Sequence, residues 1–400
     1  MNRVLKVVVV LLVLGFAFML AAAGLGRESA ANADIAYSLY IINNPDDVSA
    51  YQYSVNGTDY EDVTLPLSDF VSGFYSALPD GEALYLYIGT ADTPLVTPES
   101  IPVYKDTIAR IYLENTFAST VAPEEYNRDI VIALMSAVRT EGSASLTVNN
   151  SYIITDGAKA IHHKSAGTLT INGDDTLIAS PSESLPTFGG TIHIDEGNAP
   201  VTAYIQNGGT IINSGLKPDS AAIMNESQRD IYINWGKVLS NPADDPLNPQ
   251  KYGMGDTIAI FNVYDGVINI GQPLGKETLI ATASSSSYYM GTIKLAGTAP
   301  LKTTLILTGG EIINNNTTPN FAGRCYTIYA LKPNNMYIAG ANLINNRGYV
   351  IYNEGKGDLH IVDTSIFGSG INTIYMKGGK VTASGLSIAG SLTDYAIKSD

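Results

Sequence analysis

Tyr326-Thr-Ile-Tyr329, Tyr349-Val-Ile-Tyr352, Asn372-Thr-Ile-Tyr375 and Tyr395-Ala-Ile-Lys398 are four versions of one word. Their isoleucines fall at 328, 351, 374 and 397, a spacing of 23 residues each time. Ile338 and Ile361 follow the first two by ten residues, and Leu343 and Ile366 come five later. The next turn is shorter by one residue and gives Ala383 and Ile388. Three short apolar segments per turn, at fixed offsets, describe one rung of a solenoid. A period this short excludes two-helix repeats, and the β-branched and aromatic content selects strands.

The same ruler fits upstream. Leu146-Thr-Val148, Leu169-Thr-Ile171 and Ile192-His-Ile194 are 23 apart, as are Ile154 and Leu177. Strand residues alternate between faces, so the columns Leu146/Leu169/Ile192 and Val148/Ile171/Ile194 are expected to point inward. Thr147, Thr170 and His193 then face out. Between residues 195 and 325 the register drifts, although strand words persist, among them Ile231-Tyr-Ile233 and Val267-Ile-Asn-Ile270. With rungs about 4.8 Å apart, the chain from Leu146 onward makes about eleven rungs and a rod of roughly 50 Å.

The expected fold is all-β: a parallel β-helix solenoid with about 23 residues and three short strands per rung. Three segments follow. Residues 1–33 read as a signal peptide or N-terminal anchor: Arg3 and Lys6 precede the apolar run Val7–Leu25, and Ala31-Asn-Ala33 offers a cleavage site. Residues 34–140 lack the ruler and read as a mixed capping region, because an open solenoid end needs a cover. Ala83–Ile88 is a strand there, and Lys105–Phe117 and Pro123–Val138 suit either helix or strand. Residues 141–400 form the solenoid. It starts a new rung at Ile397 and stops, which reads as a fragment of a longer protein.

Composition narrows the function. The formal charge is −15, and the 23 Lys and Arg are unclustered, which argues against nucleic acid as a partner. The leader places the chain outside the cell, secreted or on its surface. Cys325, the one cysteine, reads as a small buried hydrophobe.

The words Gly348-Tyr-Val-Ile-Tyr-Asn353, Asp358-Leu-His-Ile-Val-Asp-Thr-Ser-Ile-Phe-Gly368 and Gly379-Lys-Val-Thr-Ala-Ser-Gly-Leu-Ser-Ile resemble right-handed parallel β-helix repeats of pectin-lyase-like domains and of adhesin-like proteins from prokaryotic cell surfaces. The resemblance spans roughly residues 141–400. It implies a right-handed coil and one of two roles: a surface adhesin binding a glycan or a protein on a host or neighbouring cell, or a polysaccharide lyase or glycoside hydrolase on the same scaffold.

The residues lean toward binding. The acidic pairs Asp174-Asp175, Asp195-Glu196 and Asp244-Asp245 sit in turn contexts and read as solvated. No word matches the catalytic signatures of polygalacturonases or pectate lyases, and no catalytic residue is assigned. No cofactor and no metal set is expected. His162-His163 beside Asp174-Asp175 is the one arrangement to check for a metal; His193 and His360 read as surface positions. Tyr329, Tyr352 and Tyr375 form a column facing opposite to the isoleucines, expected to be an exposed aromatic stripe for sugar rings or a protein surface. A ladder that stiffens the sheet explains the same column slightly better, and the two roles can coexist. Tyr326 and Tyr349 are expected inward or at a corner. Arg324 and Arg347, one rung apart, either hold an anion such as a glycan carboxylate or splay into solvent.

Overall fold

The computed structural model describes residues 36–77, 83–89, 95–97, 101–103, 108–114, 116–119, 138–142, 144–154, 159–181, 189–195, 201–215, 220–242, 257–282, 290–297, 303–315, 325–368, 373–390 and 395–400. The leader, Pro123 to Ala137 and Arg324 lie outside the described residues.

The molecule is a parallel β-helix solenoid. One wall is an eleven-stranded parallel sheet that runs from Ile101–Val103 to Ile397–Ser399, called here the first sheet. A single apolar column threads it: Ile101, Val138, Ile161, Ile192, Ile223, Ile260, Ile293, Ile328, Ile351, Ile374 and Ile397 pair in unbroken register. Val138 to Ile374 are fully buried, and only Ile397 in the last strand is 38 % exposed. The column read from the four terminal words is therefore the spine of the fold.

The other two walls form one bent sheet. Leu146, Leu169, Tyr204, Ile231, Ile268, Leu305, Met336, Leu359 and Val381 stack along its first flank. The two flanks merge where the long strands Thr202–Asn213 and Asp230–Ser240 continue around the corner. Gly208 at φ 100 and Gly236 at φ 118 make that corner. A Cβ on Gly236 would lie 2.6 Å from the carbonyl oxygen of Gly208 one rung below, so both the dihedral and the stacking require glycine. Side-chain ladders reinforce the stack. Asn172 donates to Asn149 (2.9 Å), Asn207 to Asn172 (3.0 Å) and Asn234 to Asn207 (2.7 Å). Each amide satisfies the next and keeps the turns in step.

Parallel pairing extends upstream of residue 141. Ser145–Asn149 pairs with Ile108–Glu114, that strand with Ala83–Ile88, and Ala83–Ile88 with Ala36–Asn44. Lys105–Phe117, ambiguous in sequence, is strand over its described part. Ala36–Asn44, Asp47–Ser54 and Glu61–Val63 form an antiparallel meander, followed by the helix Leu67–Ala77. Pro66 just before the helix and Asp69 in its first turn suit its N-terminus. The helix lies against Ile101–Val103, the first strand of the first sheet, and buries Leu67, Val71 and Phe74 in the same core as Leu39, Ile41 and Leu86.

Two column assignments need correction. Ile192 and Ile194 do not stack on Leu169 and Ile171. They belong to the first sheet, against Ile161 and His163, and Tyr204 and Gln206 take the expected places. Likewise Ile154 pairs with Ala179, and Leu177 pairs with Tyr152. The reason is rung length. Successive members of the first-sheet column are 31 to 37 residues apart from Ile161 to Ile328, because long excursions interrupt the turns. A 23-residue echo inside a 31-residue rung connects strands of different walls.

Candidate functional site

The outward neighbour of the isoleucine column is a second continuous line: Arg139, His162, His193, Met224, Phe261, Lys294, Tyr329, Tyr352, Tyr375 and Lys398. Its middle is covered, since Met224 and Phe261 are buried in a small cluster of their own and Lys294 lies over the Phe261 ring. Two groups remain partly open, one toward each end. Four strand steps, about 19 Å, separate His193 from Tyr329.

The later group is aromatic. Tyr329, Tyr352 and Tyr375 do stack in one column, as the word spacing implies. Tyr326 and Tyr349, expected inward or at a corner, pack against them. Thr327 and Ile328 are both buried, which breaks strict alternation, and Thr327 Oγ1 donates to the carbonyl of Ile344 on the neighbouring wall (2.7 Å). Tyr326 is thereby turned to the side of Tyr329, with ring centroids 4.6 Å apart. None of the five rings belongs to the interior core. They pack on one another: Tyr326 tilted against Tyr352 at 4.7 Å, Tyr349 edge-on to Tyr352 at 5.1 Å and Tyr352 stacked on Tyr375 at 4.8 Å.

The expected open stripe is corrected by this packing. Tyr329 is only 2 % exposed, and Tyr349, Tyr352 and Tyr375 carry the accessible surface. Tyr375 donates to Asp400 Oδ2 (2.6 Å), which pushes its phenol up to about 12, and Lys398 sits 5.9 Å from the ring centroid. Arg347 is partly buried in the turn before Tyr349. With Arg324 outside the described residues, the expected arginine pair has no described geometry.

The earlier group is ionic. His162 and His193 are register neighbours with rings 5.3 Å apart. Asp195 and Glu226 are register neighbours two residues further along. His193 Nε2 lies 2.8 Å from Glu226 Oε2, and His162 Nε2 lies 3.4 Å from Asp195 Oδ2. His162 holds the Asp195 carboxyl down at about 2, so that group is a carboxylate at neutral pH. Burial pushes His162 below its usual range, against the pull of Asp195. Burial also lowers the ammonium of Lys159, which lies in the field of Asp195 and Glu226. Shifted groups that converge from neighbouring rungs mark a candidate site.

Sequence reasoning missed this group by reading Asp195 as a turn residue and His193 as a surface residue; His193 is 2 % exposed. The signal was present. Ile161-His162, Ile192-His193 and Ile223-Met224 repeat at 31 residues, a spacing that aligns the two histidines. The suggested His162-His163 and Asp174-Asp175 arrangement does not assemble. His163 is buried on the opposite face between Thr140 Oγ1 (2.7 Å) and the Gly167 carbonyl (2.8 Å). Asp174 accepts from Trp235 Nε1 (3.1 Å) and Lys276 Nζ (2.9 Å) on the bent sheet.

Against this geometry, known proteins offer no guide: no family model, no curated protein and no solved structure matches the chain.

Proposed function

We propose that the chain is an exported, adhesin-like binding rod of the pectin-lyase-like kind, which docks a glycan or a cell-surface protein through the tyrosines of its last rungs. The observation that carries this reading is the five-ring patch from three consecutive strands. The rings are held by backbone register and by each other, so little entropy is lost when they meet a ligand. Aromatic faces with hydroxyl tips suit both sugar rings and half-polar protein surfaces. The apolar run Val7–Leu25 supports export.

The test is replacement of Tyr349, Tyr352 and Tyr375 together by serine. Circular dichroism should be unchanged, because the core lies on the other face. Retention on immobilised polysaccharide or on cells should fall at least about tenfold, as expected when more than 1.4 kcal/mol of contact is lost. Unchanged retention would sink the proposal.

One observation favours the enzyme alternative. Asp195 and Glu226 converge with His162 and His193 from consecutive rungs, the arrangement an acid–base site on this scaffold requires. A hydrolase also needs a carboxyl that holds its proton near neutral pH, and Asp195 is held ionised. Polysaccharides incubated with the protein are therefore expected to show neither new reducing ends nor unsaturated uronate absorbance. Products that vanish in a Glu226→Gln variant would establish the enzyme.

A further inference from the structure

We infer that His193, Asp195 and Glu226, with His162 as a fourth donor, bind one divalent transition-metal ion, zinc being the best fit.

The donor atoms of His193, Asp195 and Glu226 all lie within 4.8 Å of one another. Ligands around a tetrahedral zinc stand about 3.4 Å apart, given bond lengths of roughly 2.1 Å. The existing 3.4 Å contact matches that separation, and the 2.8 Å contact would have to open by about 0.6 Å. Asp195 and Glu226 are partly exposed at the ends of their strands, so small rotations of their carboxylates close the set. His162 Nε2 lies 3.4 Å from Asp195 Oδ2, so a second imidazole stands beside the set and reaches it through that carboxylate.

A second observation points the same way. His193 is buried, and its Nδ1 has no hydrogen-bond partner among the described residues. A buried, unpaired ring nitrogen costs free energy in a purely structural histidine. In a metal site, one imidazole nitrogen binds the ion and the other is free to be held by a carboxylate. The 2.8 Å contact of His193 Nε2 with Glu226 Oε2 puts Nε2 on the side of the proposed ligands and leaves Nδ1 as the outer nitrogen.

The donor chemistry selects the ion. Two imidazoles and two carboxylates suit zinc and its first-row neighbours. Calcium takes six to eight oxygens and is a poor match. Lys159 stands near the same carboxylates and partly neutralises them, so affinity should be lower than in a closed structural zinc site. The ladder does the preorganising: each histidine and each carboxylate is fixed opposite its counterpart by strand register. This inference stands apart from the tyrosine patch and requires no catalysis.

The experiment is calorimetric titration of zinc chloride into the untagged full chain after dialysis against a chelator, with cobalt(II) absorption as a second readout. One ion per chain is expected, with the intense visible bands of a low-symmetry nitrogen–oxygen site when cobalt replaces zinc. Glu226→Gln and Asp195→Asn should each weaken binding at least about tenfold. Tyr352→Ser, at the other end of the sheet, should leave it unchanged. His193→Ala should abolish the cobalt bands; if that variant fails to fold by circular dichroism, the two isosteric carboxylate variants decide. No binding heat, or equal affinity in Glu226→Gln and Asp195→Asn, overturns the inference and leaves the cluster as a pair of hydrogen-bonded ion pairs.

Discussion

Arg229 is the side chain whose position least resembles what its chemistry suggests. It is 2 % exposed and pairs with no carboxylate among the described residues; its Nη1 donates to the carbonyl of Ser165 (2.7 Å), and its Nη2 to those of Ala166 (2.6 Å), Gly167 (3.0 Å) and Thr202 (3.3 Å). One guanidinium thus satisfies a buried turn two rungs away. Arg229→Met keeps the bulk but removes the guanidinium donor from those carbonyls, Gly167 keeping His163 Nε2, and should cost about 3 kcal/mol or more in urea unfolding. Beside it, His163 is the pH-sensitive element. Its hydrogen bonds assign the Nε2-protonated neutral tautomer, and burial pushes it down to about 4 from 6.5. Below pH 6.5 the unfolded chain takes up a proton that the native state refuses until about pH 4. Its contribution is therefore full above pH 6.5 and is lost as pH falls toward 4, on the order of 3 kcal/mol. Urea midpoints between pH 7 and 4.5 should show this slope, and His163→Gln should flatten it. Asp195 acts lower, giving stability present above pH 3.8 and lost toward pH 2. None of these environments was legible in sequence, because each depends on partners from 4 to 64 residues away.

At the scale of the strand, the inward column was legible and the outward one only in part. Ile328, Ile351 and Ile374 share one parity and one spacing, and both survive folding. Their energetic weight depends on having a rung on each side. Ile351→Ala, between two buried neighbours, should cost about 2–5 kcal/mol, and Ile351→Asp should collapse the local stack. Ile397→Ala, at 38 % exposure in the last strand, should cost under about 1 kcal/mol in the same thermal melts. Parity also put Tyr329 on the outer face correctly, yet could not tell that other tyrosines would bury it. Exposure is set by what packs against a face, and here a broken alternation at Thr327 brought Tyr326 over. Turn glycines carry a similar constraint. A Cβ on Gly357 would lie 1.9 Å from the Asn334 carbonyl oxygen of the preceding rung. Gly357→Ala must therefore separate two rungs and should lower the melting temperature by several degrees.

At the scale of the molecule, the regular ends were readable and the middle was not. Rungs of 23 residues announce themselves by spacing, whereas rungs of 31 to 37 residues hide the same column behind excursions of unequal length. The ionic cluster lies in that stretch, which explains why the solenoid was found and its converging histidines and carboxylates were not. Upstream, the ladder continues through Ala83–Ile88 to Ala36–Asn44, where residue patterns carry no ruler at all. The central claim is that successive rungs stack in parallel with His360 directly beside Thr382. Adjacent parallel strands lie about 4.8 Å apart, within disulfide reach, whereas strands two rungs apart, at about 9.6 Å, lie beyond it. The direct measurement is oxidative cross-linking of paired cysteines at exposed positions, with the buried Cys325 left in place. His360→Cys with Thr382→Cys should form an intramolecular disulfide in high yield, and Tyr337→Cys with Thr382→Cys should form none. Cross-linking of the second pair, or failure of the first under the same oxidant, would contradict the parallel β-helix.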